Sequence, residues 1–594
     1  MQMAASLTRA RLYALSAAIA SVPLVAQTIR TDWSLDAWQH AAAILELSRH
    51  PLDPGHPAVA ASVGHPDLSP YSFVWGLVHR VTGADVLSVM VVAGLANLVM
   101  IWVGLWMVAS RLTRSRFAPA LAVPAVLLVW GYEPWRWSGY PSLNSIGFGL
   151  PYPSFASFGA YLIAVAVFLD WLRNPCWTRA AVVAALGAGI TLTHPITGAA
   201  LAMSAVILLV EAGIRGRGPN RAALAQLAVP AVVAAMLVIA WPFYSIVSLF
   251  DHAGAYSGAN TRVLESIVPR AGLALACLPV VVIMARQRRD WRLAALATAP
   301  LLFVAAGVVL DDPGLGRFLP FGLLPIQLAV ADAVAGAFQP SASRRRARLA
   351  LGACLAAVGL AGIAAAGPHM VPDPLLPEPL RDDRRLETMR DDVRAVRGLR
   401  AGMVVIAPED EVAWPVLASG AKLVAPPYGA PEVGDNDARR AAVADFLAAS
   451  AARKRQTIER YGATHVAVSS TALALLEEQM CRSGPGSDAR RAGISEPAVR
   501  DGSFFVIPIE DLIPEAGRAQ SECDSQIEHH RPITPNQSTS QGSSRSISSR
   551  ERKCAERPVR SLLSAHLLEI QSSERRSATS GLVSCAAGGV AVVS

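Results

Sequence analysis

Apolar residues in this chain come in runs long enough to cross a bilayer, separated by short polar connections. A spanning helix needs about 20 apolar residues. Runs of that kind fall near residues 12–29, 86–109, 117–134, 154–171, 180–196, 197–213, 222–250, 269–285, 293–310, 318–339 and 349–367. The pattern predicts about eleven transmembrane helices over residues 1–367. Beyond Gly367 the periodicity changes. "GMVVIAPEDEVAWPVLASGAKLVAPP" reads as strand, helix and strand, followed by the helical run "DARRAAVADFLAASAARKRQTIERYG", the strand "THVAVSS", the helix "TALALLEEQM" and the strand "GSFFVIPI". A small α/β domain over 368–516 is the economical reading. Residues 517–594 are rich in Ser, Arg, Gln and Pro without sustained periodicity and are predicted to be a disordered tail, whose apolar end "GLVSCAAGGVAVVS" is too short to span. The predicted fold class is therefore a polytopic α-helical membrane protein with a small extracytoplasmic α/β domain.

Composition agrees. The 594 residues are 53% hydrophobic and only 16% charged, with a mean hydropathy of +0.37, which excludes an ordinary soluble enzyme. A net charge of +8 would suggest nucleic acid in a soluble chain. Here the arginines cluster at every second connection (Arg9/Arg11, Arg111/Arg114/Arg116, Arg173/Arg179, Arg215/Arg217/Arg221, Arg286/Arg288/Arg289/Arg292 and Arg344/Arg345/Arg346/Arg348), so they encode topology and no nucleic-acid partner is expected. By the positive-inside rule the N-terminus is cytoplasmic, while the loop from Arg30 to about Asp85 and the C-terminal domain face outward in the plasma membrane. The short first span, with "AIAS", also fits a cleaved signal peptide, and either reading leaves the following loop outside. The seven cysteines form no CxxC pair, which argues against a thiolate metal site. An outer location would permit a Cys481–Cys523 bridge. The α/β segment carries no phosphate-binding GxGxxG or GxxxxGK[ST], so no nucleotide is assigned to it.

The chemistry concentrates where the chain leaves the first span. In "RTDWSLDAWQH", Asp32, Asp36 and His40 follow one another at four-residue spacing, on one face if the segment is helical. Such a stripe can receive a hydroxyl proton or hold a cation. It equally suits an N-cap, a first-turn carboxylate stabilised by the helix dipole and a solvated histidine. His50, His56 and His65 follow in a Pro-rich loop at wide spacing, a weak metal signal. Two readings also stand for each remaining candidate. His194 in "TLTHPITG" can bond a substrate hydroxyl or satisfy a broken helix end. Arg317 in "LGRFLPFGLLP" can clamp a lipid phosphate or snorkel to headgroups. The loop bearing Tyr132, Trp135, Trp137 and Tyr140 can stack on a sugar or form an interfacial belt.

The layout and the motifs "TDWSLDAWQH", "SPYSFVWGLVHRVTG", "THPITG", "LGRFLPFGLLP" and "WPVLASGAKLVAPP", over roughly residues 1–515, resemble the polyprenol-phosphate-sugar-dependent glycosyltransferases of the GT-C superfamily. The resemblance implies that Asp32 or Asp36 is the general base, or helps hold a divalent cation, with Arg317 near the lipid phosphate. His40, His194, Trp135, Trp137 and Tyr140 are then candidate substrate contacts. The implied partners are a polyprenyl-phosphate-linked sugar donor, an envelope glycan, lipid or protein acceptor, and membrane lipids. The D-x-x-x-D spacing departs from the family's adjacent or DxD acidic pair, and no WWDxG motif of the oligosaccharyltransferases is present. A transporter or flippase of lipid-linked sugars, and a noncatalytic GT-C-like scaffold, are the alternatives.

Overall fold

The computed structural model describes residues 2–30, 33, 36–133, 137–251, 261–337, 353, 357, 360, 386–396, 398–469, 472–473 and 504–509. Helix α1 (Gln2–Arg30) is the first span; α2 (Asp36–Arg49) and α3 (Pro70–Thr82) belong to the loop after it, and α4 (Val86–Leu112) spans again. There follow α5 (Ala118–Leu128), α6 (Leu143–Gly149), α7 (Pro153–Arg173), α8 (Trp177–Thr193), α9 (Pro195–Ile214), α10 (Arg221–Ile239), the short α11 (Ile246–Asp251) and α12 (Thr261–Glu265), then α13 (Ile267–Ala276), α14 (Leu278–Arg288), α15 (Arg292–Leu310), α16 (Pro313–Gly316) and α17 (Leu319–Ala337).

Among the described residues, eight helical segments are long and apolar enough to cross a membrane, and α5 and α8 are shorter apolar helices. Ten of the eleven expected spans thus have a helix, and the run at 349–367 lies outside the described residues apart from isolated positions. The break at Cys277, where Pro279 opens a new helix, makes α13 and α14 two pieces of one span. The "SPYSFVWGLVHRVTG" segment is a separate helix. Ser69 caps α3 by accepting from Ser72 N, and Gly83 ends it at φ +64, where a side chain would be strained.

Glycine decides how closely the bundle packs. A Cβ on Gly104 of α4 would stand 2.9 Å from the Gly159 carbonyl oxygen of α7, and one on Gly159 would stand 3.0 Å from the Ile101 amide. Only bare backbone allows that approach, the small-residue device by which membrane helices pack without a hydrophobic driving force. At the centre of the bundle, 89% of the residues in the apolar stretch of Pro313–Gly336 are buried, against 11% in Arg221–Ile239, which turns Val229, Val232, Val233 and Met236 outward, a surface suited to lipid.

One end of the bundle gathers the arginines. Arg111 binds Asp170, Arg292 and Arg215 meet Asp290, and Arg288 pairs with Asp332, whose carboxylate also accepts from Arg114 N at 3.0 Å and Ser115 N at 2.9 Å. The opposite end carries α2, α3 and the C-terminal α/β part.

That part is a four-stranded sheet of order β2-β1-β3-β4, from β1 (Val404–Ile406), β2 (Lys422–Leu423), β3 (His465–Ser469) and β4 (Phe504–Pro508). Strand β1 runs parallel to β2 and β3, and β4 is antiparallel to β3. Helices α18 (Leu386–Ala395), α19 (Asp410–Ser419), α20 (Asn436–Ala444) and α21 (Ala451–Tyr461) accompany it, so the long helical run expected after β2 is two helices. The helix expected at "TALALLEEQM", apart from Ala472 and Leu473, and the tail over 517–594 lie outside the described residues.

The sheet does not stand apart from the first loop. Trp33, Ala37, Trp38 and Ala41 share one apolar core with Val405, Val412, Trp414 and Leu417. Leu423 N donates to Ala58 O at 2.7 Å, which lets Val59 extend the sheet edge beside β2. Lys422 Nζ lies 2.6 Å from Glu46 Oε2 and also donates to the His56 carbonyl, while Arg49 reaches the Gly420 carbonyl at 2.9 Å. Helix α2 is therefore buried on nearly every side, from Ala37 to Ser48.

Candidate functional site

Asp36 opens α2, where the helix dipole favours an anion. His40 lies one turn further along and Asp67 faces it from the loop before α3, with His40 Nδ1 3.6 Å from Asp67 Oδ1. His194 comes from the break between α8 and α9, and Arg317 from the break between α16 and α17. Arg317 Nη2 donates to His194 Nε2 at 3.1 Å, and His194 Nδ1 meets Thr197 Oγ1 at 2.7 Å. Because Nε2 accepts, the imidazole proton sits on Nδ1 and is given to Thr197. Tyr140 Oη donates to the carbonyl of Gly316 at 3.1 Å, which supports the backbone just before Arg317.

Charges act across this group. Asp36 reaches solvent, yet the protein packed around it raises its carboxyl above the ordinary range; His40 and Arg317 oppose that shift and Asp67 reinforces it. Burial raises Asp67 as well, against the pull of His65. Burial brings His40 down to about 4, with Asp36 opposing, so it is neutral at pH 7. His194 is lowered to about 3 by burial and then by the Arg317 and His40 charges, which agrees with a neutral ring accepting from the guanidinium. Burial raises the Tyr140 phenol, so it stays protonated.

Of the residues singled out in the sequence, the structure brings Asp36, His40, His194 and Arg317 to one end of the bundle, with Tyr140 behind Arg317. Asp32 and Trp135 lie outside the described residues. Tyr140 is 1% exposed with its ring beside Trp130, so it offers no open face for stacking on a sugar; Trp137 packs half-buried against the membrane core. Tyr132 is exposed. Sequence reading missed Asp67, which lies in the Pro-rich segment "GHPDLSP" and was not singled out. It also missed Glu432, which lies in "YGAPEVGDN", more than 360 residues from either His56 or His65, so no local spacing linked them.

Glu432 completes a second cluster. His56 Nε2 is 3.1 Å and His65 Nε2 3.4 Å from the same Glu432 oxygen, and the ligand atoms of all three residues lie within 4.8 Å of one another, a spacing a divalent cation can use. The backbone dictates otherwise. His56 Nδ1 accepts from Ala58 N at 3.1 Å and Val59 N at 3.2 Å, and His65 Nδ1 accepts from Asp67 N at 3.1 Å. Both rings therefore carry their proton on Nε2 and aim it at the carboxylate, whereas a metal ligand needs a lone pair there and usually donates from its other nitrogen. Burial lowers both imidazoles, His65 to about 4. Burial alone would raise Glu432, but the His56 hydrogen bond and the neighbouring His65 bring it down to about 2. As bonded here, the cluster is a clasp between the first loop and the α/β part and does not fit a resident cation.

No protein-family model matches the chain, and no curated protein does. Solved structures do. ArnT from Cupriavidus metallidurans, bound to undecaprenyl phosphate, matches with 14% identity and a TM-score of 0.51, over 83% of this chain and 97% of its own. The oligosaccharyltransferase AglB from Archaeoglobus fulgidus, in complex with an inhibitory peptide and a dolichol-phosphate, matches at 11% identity and a TM-score of 0.45, over 77% of this chain and 69% of its own. The arabinofuranosyltransferase AftD from Mycobacteria matches at 17% identity and 0.47, over 77% of this chain but only 35% of its own. The ArnT correspondence covers most of both chains and defines the class: this is a multi-pass membrane protein with the GT-C fold. The superfamily its motifs resemble thus shares its architecture.

Proposed function

We propose that the chain is a glycosyltransferase that moves a sugar from a polyprenyl phosphate to a hydroxyl acceptor on the extracytoplasmic face. The observation that carries this reading is that Asp36 lies within electrostatic reach of the bonded Arg317–His194 pair, at the end of the bundle opposite the arginine clusters. If the arginine-rich end faces the cytoplasm, the site lies just outside the bilayer, where a lipid phosphate and a water-borne acceptor can meet. Asp36 takes the proton of the acceptor hydroxyl as its oxygen attacks the anomeric carbon. The bond from that carbon to the phosphate oxygen breaks, and the electron pair leaves with the polyprenyl phosphate, which gains a negative charge. Arg317 offsets that charge, held in direction by His194. A carboxyl raised by its surroundings is a stronger base than one in water, which suits the role.

The test is transfer of radiolabelled sugar from native polyprenyl-phosphate donors in membranes carrying the wild type, Asp36→Asn or Arg317→Ala, at matched abundance. Loss of transfer by about 100-fold or more in Asp36→Asn is expected, the scale of a general base. Full activity in that variant would overturn the assignment of the base, and absence of transfer from every donor would favour a flippase or scaffold.

A further inference from the structure

Two buried polar atoms beside Asp36 have no hydrogen-bond partner: Nδ1 of His40 and Oδ2 of Asp67. They belong to facing side chains, yet the closest approach, 3.6 Å from His40 Nδ1 to Asp67 Oδ1, is too long for a hydrogen bond. Leaving one such group unmet costs about 1–3 kcal/mol. Here two stand together next to a carboxylate that reaches solvent. Their side chains keep 13% and 19% exposure although the two atoms themselves are covered, so a ligand arriving at Asp36 meets the side chains and reaches the atoms by turning them.

We propose that His40 and Asp67 form the acceptor subsite, and that it takes a neutral polyol, a sugar whose neighbouring hydroxyls donate to Asp67 Oδ2 and engage His40 Nδ1 while another is poised at Asp36. The proposal rests on the transferase reading and names its acceptor class. Charge and hydrogen-bond chemistry both select that class. Asp36, Asp67 and Glu432 give this side three carboxylates, with Glu432 3.4 Å from His65 and His65 in turn 3.8 Å from Asp67. A phosphorylated acceptor would be repelled there by like charge, since the guanidinium of Arg317 is bonded to His194 and, in the transferase reading, is taken up by the donor phosphate. A side-chain amide brings a carbonyl that needs a donor, which the carboxylates do not offer and only the His40 ring of this pair can supply. Hydroxyls supply donors wherever they are wanted, which is why carboxylates hold sugars well. The turn from Asp36 to His40 rises about 6 Å along the helix axis, the span of one sugar ring.

The experiment measures binding and needs no turnover. Full-length protein in nanodiscs is titrated with methyl glycosides of neutral hexose and pentose disaccharides, with their 6-phosphates and with an Asn-x-Thr peptide, for the wild type, Asp67→Asn and His40→Gln. Undecaprenyl phosphate binding serves as the folding control. At least one neutral glycoside is expected to bind the wild type, tenfold or more above its phosphate and the peptide, and to lose tenfold or more in both variants while undecaprenyl phosphate binding is unchanged. Should Asp67→Asn fail the control, His40→Gln carries the same expectation. Tighter binding of the phosphate or the peptide, no glycoside binding to folded protein, or glycoside binding indifferent to the substitutions would overturn the subsite. Glycoside binding of the expected kind without transfer from any donor would instead remove the transferase reading and leave the subsite.

Discussion

Arg317 Nη2 donates to His194 Nε2 at 3.1 Å, joining the break between α16 and α17, near the start of the most buried of the described spans, to the break between α8 and α9. The guanidinium is thereby aimed, and the ring that aims it is fixed by Thr197. His194→Ala should weaken use of the polyprenyl-phosphate donor by about 10- to 100-fold, the range for a partner that orients a working group. Thr197→Val should do less, because it leaves Nε2 in place. Donor KM and kcat measured separately in proteoliposomes decide this, since a structural defect alone would lower the amount of active enzyme without moving KM.

Acidification should switch the reaction off through Asp36. Its folded-state pKa is raised, the ionised form is the base, and transfer falls as pH drops through that value, higher than for a solvated aspartate. Asp67 contributes to the rise by like charge, so Asp67→Asn should move the acid limb of kcat/KM to lower pH. A limb that stays put, in pH-rate profiles of the two proteins, would show that another group titrates.

The α/β part should come loose if its buried ion pair is halved. Lys422→Met leaves Glu46, 6% exposed, without its cation, a loss of about 3 kcal/mol. Limited proteolysis of the α/β part should then quicken, and adding Glu46→Leu should restore much of the protection. Equal cleavage of all three proteins would mean that the shared apolar core alone holds the parts together.

Gly104→Val should prevent assembly of the bundle, because the new side chain meets the Gly159 carbonyl and Leu162 across the α4–α7 contact. Gly189→Ala, where a Cβ meets nothing within 4 Å, is the control and should leave thermal stability in detergent unchanged. Size-exclusion profiles of the two variants give the comparison directly.

Topology can be read by labelling. Leu52, 88% exposed in the first loop, should react as Leu52→Cys with a membrane-impermeant maleimide added outside intact cells, and Arg217→Cys should react only after lysis. The reverse pattern would place the site in the cytoplasm.

The spans were legible because a bilayer imposes one length and one polarity on whatever crosses it. The strand-helix-strand segment was legible because its periods are local: "GMVVIAPEDEVAWPVLASGAKL" became β1, α19 and β2. Asp36, His40, His194 and Arg317 stood out as polar residues at the edges of apolar runs, where each needs a reason. What each one touches was not legible. Spacing alone left His194 open between a substrate contact and a helix end, and the fold makes it the partner of Arg317. Spacing likewise left His40 open between a site residue and one facing water, and the fold largely covers it, since the α/β part folds back and α2 is packed on nearly every side.

The sequence by itself thus determined a membrane-embedded helical protein with a mixed α/β segment and a carboxylate at the exit of its first span, since hydropathy and period act between near neighbours. Tertiary structure decided that Asp67 faces His40, that Glu432 closes on His56 and His65, and that Lys422 holds Glu46. Those pairs join residues far apart in the chain, and no local pattern records them: the meeting of two charges or hydrogen-bonding groups depends on where the packing of all the intervening helices delivers them.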